Sequence, residues 1–154
     1  METVPIDDLI KLLNSNELIV RTGLWLVPAK WNINAAGLAA RFNMDALDMR
    51  RVWLDQLPPG VKLAGLRRER LLEIISNIVD QQNLSDCALL YNLDLLISGL
   101  SPEDRKIFWH HSIKGLPHKA RALLFLFPEE AFENLIDPEN RNSWRGSGRM
   151  TVTQ

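Results

Sequence analysis

Apolar positions recur along most of this chain at the three- and four-residue spacing of helices. Ile6, Leu9, Ile10, Leu12 and Leu13 follow Pro5 and predict an amphipathic helix that Asn14, Ser15 and Asn16 end. Residues 17–27 form an apolar run around Gly23, rich in β-branched and aromatic side chains, whose period fits helix or strand; we read it as helix, stopped at Pro28. Asn34 can cap a helix beginning at Ala35. Leu38, Phe42 and Met44 fall inward on that short helix and the turn after it, and Leu47, Met49, Val52 and Trp53 give a second helix its apolar stripe. Leu57, Pro58, Pro59 and Gly60 then break the chain, leaving residues 61–65 as a loop or a short β-arm.

Residues 67–82 carry the strongest helical pattern, with Leu71, Leu72, Ile74, Ile75, Ile78 and Val79 on one side. Ser85 and Asp86 can cap a helix to about Ser98 that is apolar around most of its circumference, which makes it the predicted central core helix. Ser101-Pro102-Glu103-Asp104 is a helix start, with a serine cap, proline in the first turn and acids at the positive end of the dipole; the helix it opens stops at Gly115. Pro117 begins another through Ala120, Leu123, Leu124 and Leu126, and Pro128-Glu129-Glu130 opens a last one carrying Ala131, Phe132, Leu135 and Ile136. From Pro138 the composition turns to Asn, Arg, Ser, Gly and Thr, which predicts a mobile tail.

Within residues 35–54, Ala39 would let two helices approach closely, Asn43 tolerates the left-handed backbone of a short turn, and Asp45 with Asp48 makes an acidic capping box for the second helix. This stretch resembles the helix-turn-helix class, and the resemblance implies a recognition helix beginning near Asp45. The expected fold class is therefore all-α: a compact multi-helix domain over 1–137, with a helix-turn-helix-like part at 17–82 and a helical bundle at 84–137. A flexible tail at 138–154 would follow it.

Composition and charge sharpen the functional expectation. One cysteine, Cys87, allows no internal disulfide, and no apolar run approaches the roughly 18 residues of a membrane span, so the sequence reads as a cytoplasmic chain without a membrane segment. The net charge is −1, but residues 20–75 hold nine basic and five acidic side chains, a local +4 that coincides with the helix-turn-helix-like pattern. The first 19 residues and residues 76–100 are each acidic, at −3.

Chemistry is sparse. His110 and His111 point about 100° apart on a helix, and Gly115 and Pro117 separate them from His118, so the spacing of a metal site is missing. No glycine-rich phosphate loop or nucleophile elbow occurs, and Glu129-Glu130 is explained by helix-start electrostatics. The expectation is a non-enzymatic protein without metal or cofactor. One reading is a DNA-binding regulator or accessory subunit, with Arg50, Arg51, Arg67, Arg68 and Arg70 meeting duplex DNA. The alternative is a helical adaptor for a protein partner, since Asp45 and Asp48 would face phosphates unfavourably; Trp109 and Trp144 are its candidate contact residues.

Overall fold

The structure, a computed structural model, describes residues 4–15, 17–18, 20–55, 68–80, 86–115 and 121–153. Its centre is a parallel sheet of β1 (Thr22–Val27), β2 (Asp45–Asp48), β3 (Cys87–Tyr91), β4 (Ala122–Pro128) and β5 (Met150–Val152), in the order β2-β3-β4-β1-β5. Around it lie α1 (Ile6–Asn14), α2 (Ala35–Arg41), α3 (Met49–Asp55), α4 (Arg68–Asp80), α5 (Leu93–Ile97), α6 (Pro102–His110), α7 (Phe132–Leu135) and α8 (Pro138–Gly146).

The all-α expectation is thus corrected to α/β. Strands in a parallel sheet covered on both faces carry no alternation, because every residue meets a helix layer. Every residue of β1 and β4 is buried, and four of the five in β3, so their continuous apolar runs read as helix from sequence. The helices expected over 17–27 and through Leu123–Leu126 give way to β1 and β4, and the one expected from Asp86 to about Ser98 begins as β3, with only its later part, Leu93–Ile97, forming helix α5.

Residues 35–54 are corrected in the same way. The first helix forms as α2 and Asn43 takes the left-handed conformation at φ 58°, but the chain then enters strand β2, and α3 begins only at Met49. Leu47 is carried into register with Leu90 of β3 rather than onto a recognition helix. The possible β-arm at 61–65 lies outside the described residues.

Right-handed crossovers explain the layers. The β1 to β2 connection runs across the sheet in one direction, whereas β2 to β3, β3 to β4 and β4 to β5 run in the other, so their helices cover opposite faces. One face packs Trp25, Val27, Leu89, Leu124 and Leu126 against Leu9 and Leu13 of α1 and Leu38 and Ala39 of α2. The other packs Leu24, Leu26, Leu90, Leu123, Phe125 and Phe127 against Met49, Trp53, Leu71, Ile74, Trp109 and Trp144.

The expected tail is part of this body. Asp137 caps α8 by accepting from the Asn140 N–H, Trp144 is fully buried, and β5 forms an edge of the sheet beside β1. Arg149 locks the junction: its guanidinium donates to the carbonyls of Val20, Thr22 and Ile113 at 3.2, 2.8 and 2.6 Å and to Thr22 Oγ1 at 2.9 Å.

Candidate functional site at the carboxyl edge of the sheet

In open α/β sheets, ligands bind outside the carboxyl ends of the strands, where neighbouring strands send their connections to opposite faces. Here β1 and β4 are those neighbours, with Val27 and Pro128 in register at their ends. The segments after them form the candidate site.

After β1, Ala29–Asn34 winds into a 3₁₀ helix whose Trp31 N–H donates to the Pro28 carbonyl at 2.9 Å. Phosphate-binding loops use glycine at this place so that free N–H groups can approach the anion, but no glycine lies between Gly23 and Gly37. Gly37 serves another purpose. A Cβ there would stand 2.6 Å from Asn34 Oδ1, so its absence lets the Asn34 amide fold over the first turn of α2. Lys30 and Arg41 are exposed, Trp31 is half-buried, and these three with Asn34 and Leu38 line a cleft of about 340 Å³. Ile33, on the same segment, is 93 % exposed.

After β4 the character reverses. Pro128 leads into the 3₁₀ turn Glu129–Ala131 and then α7, which exposes Glu129, Glu130 and Glu133. Glu130 and Asn134 separate two further clefts, each of about 420 Å³. The first also meets Ala29, Asp94 and Pro128; the second meets Leu26, Phe132, Met150 and Arg145, whose guanidinium lies 5.2 Å from the centre of the Phe132 ring.

The ends of β2 and β3 add two carboxylates with different settings. Asp48 Oδ1 accepts from the Arg50 N–H and from Asn92 Nδ2, both at 3.0 Å, so this acid holds the start of α3 to the turn after β3. Asn92 makes that turn at φ 61°. Asp94, two residues on, has a buried Oδ1 with no hydrogen-bond partner among the described residues. Burial pushes its carboxyl above the ordinary aspartate range, against the lowering effect of its own N–H and that of Leu95.

The sequence-derived sites fall elsewhere. Arg50 and Arg51 are exposed on α3, Arg70 pairs with Glu73 at 3.1 Å on α4, Arg68 begins α4, and Arg67 lies outside the described residues. Trp109 and Trp144 are core residues rather than contact residues: both are fully buried, their rings meet edge to face at 6.4 Å, and the Trp109 indole donates to the Leu135 carbonyl at 2.9 Å. Among the described residues no group of three or more His, Cys, Asp or Glu side chains is placed to hold a metal ion, and no described helix is long and apolar enough to cross a membrane.

Sequence reasoning missed Lys30, Trp31, Asp94, Glu129 and Glu130 as a neighbourhood. The available signal was that three continuous apolar runs each end on a turn residue, at Pro28, Asn92 and Pro128, which marks the carboxyl ends of parallel strands. No protein-family model matches the chain, and no curated protein is similar to it in sequence.

Proposed function

We propose that this protein is a binding module that engages a partner protein at the carboxyl edge of its sheet. The observation supporting this reading is the division of charge across the β1–β4 switch point. Lys30 stands on the β1 side, with Arg41 further along α2, and Glu129, Glu130, Glu133 and Asp94 stand on the other, where Arg145 is the one cation among the described residues lining those clefts. An edge with both signs suits another protein surface, since complementary charges fix orientation and exclude wrong partners. A polyanionic duplex would meet the carboxylates unfavourably. Arg50 and Arg51 remain exposed, but they share α3 with the core residues Met49 and Trp53 and have no recognition helix to carry them into a groove.

A photo-crosslinking amino acid at Ile33 or Glu130, with Asn77 on α4 as the exposed control, tests the reading in cells of the native source. Adducts of one defined mass from the first two positions and none from Asn77 are expected. Equal adducts from all three, or none from Ile33 and Glu130, would overturn it.

A further inference from the structure

The cleft beside α2 has the features of a peptide-binding site, and we propose that it receives a partner segment carrying an aromatic or large apolar side chain flanked by acidic residues. This inference rests on the proposed function and names what the partner presents.

Three observations converge on that chemistry. Trp31 is half-buried, packed on one side against the core beneath α1 and α2, and lines the cleft with no hydrogen bond or ring contact among the described residues, so the part of its indole in the cleft is available to an incoming group. Aromatic and aliphatic side chains gain most from such a surface, because the ring is already held in place and little entropy is lost. Leu38, 5 % exposed, supplies an apolar wall of the cleft.

The second observation is charge. Lys30 precedes α2 and Arg41 ends it, so two cations bracket the cleft along the helix. Neither forms an ion pair among the described residues; Arg41 lies 5.9 Å from the centre of the Phe42 ring. Acids on either side of one apolar side chain complement two cations that line one cleft with Trp31 and Leu38.

Third, the start of α2 does not favour a phosphate. The Asn34 amide already lies over the first turn, in the space that Gly37 leaves free, and the Glu130 side of the switch point is carboxylate-rich. The cleft volume, about 340 Å³, is near the lower end of the roughly 300–1,000 Å³ typical of ligand pockets and suits one or two side chains rather than a long polymer.

A phage-displayed library of random peptides selected on the purified protein, followed by fluorescence anisotropy with the labelled consensus peptide, tests the proposal. Selected sequences should be enriched in Asp or Glu flanking Phe, Tyr, Trp or Leu. Lys30→Glu and Arg41→Glu should each weaken the consensus peptide tenfold or more, Lys30→Arg should retain binding, and Lys114→Glu, at an exposed site on another face, should have no effect. Trp31→Ala should abolish binding while thermal melts of the charge variants match the parent.

No enrichment, enrichment of basic peptides, or affinities indifferent to Lys30→Glu and Arg41→Glu would overturn the proposal. Binding of a labelled oligothymidine through these residues in place of the peptide would overturn it too. Crosslinks from Ile33 with no acidic-aromatic selection would leave partner binding standing and remove only this inference.

Discussion

Replacing Arg149 by alanine should destabilise the protein by roughly 3–5 kcal/mol. Arg149 is 8 % exposed, and its guanidinium supplies the donors for the carbonyls of Val20, Thr22 and Ile113 and for Thr22 Oγ1. It also lies 5.7 Å from the centre of the Trp144 ring. Each buried acceptor left without a donor costs ~1–3 kcal/mol. The desolvation cost of the charge, which lowers the arginine's proton affinity, offsets part of the sum over three carbonyls. In a domain of this size 1 kcal/mol moves the melting temperature by about 2–4 °C, so the midpoint should fall by roughly 6–20 °C. Urea denaturation would show a lower midpoint at unchanged slope. Arg149→Lys should lie between, because one ammonium has three donors but not the flat spread of the guanidinium. A loss below about 1 kcal/mol for the alanine variant would refute the reasoning, since water would then be serving those carbonyls at no cost.

Asp94→Asn should stabilise the protein at neutral pH. The aspartate's raised pKa means that the fold favours its neutral form, a contribution complete below the ordinary value of 3.8 and lost as pH rises through the raised value. The gain from asparagine should therefore shrink towards zero in urea titrations as pH falls below that value. Cys87 is 2 % exposed, with its thiol pushed up from 9.0 to about 12, so it should resist a thiol reagent at pH 8 until urea unfolds the chain; rapid labelling of the native protein would contradict the burial. Ala39→Leu should cost ~1–3 kcal/mol by overpacking, because Ala39 is 1 % exposed between α2 and the sheet; an unshifted circular-dichroism melt would refute that packing. Removing residues 138–154 should abolish the cooperative melt, because it takes away the fully buried Trp144, Arg149 and edge strand β5.

Local chemistry alone determined several elements of this protein. Ile6–Asn14 and Arg68–Asp80 follow from the period of their apolar positions, and the helix from Pro102 from its Ser101 cap, since a half-buried helix writes such signals into its own residues. Asn43 takes the left-handed turn for the same local reason. The tertiary structure decided what covers each apolar run. Leu89 and Leu90 face opposite helix layers, as do Leu124 and Phe125, and a chain buried on both sides carries no alternation to separate strand from helix. It decided the fate of the polar C-terminal segment as well, where Arg149 finds partners 36 and 127 residues away in sequence at Ile113 and Thr22 and the Trp144 ring meets those of Trp109 and Phe125. The candidate site depended on the same long-range pairing. Lys30 and Glu130 are unremarkable where they stand in the chain, and only the register of Val27 with Pro128 brings their segments to one edge, because parallel strands align residues about a hundred positions apart.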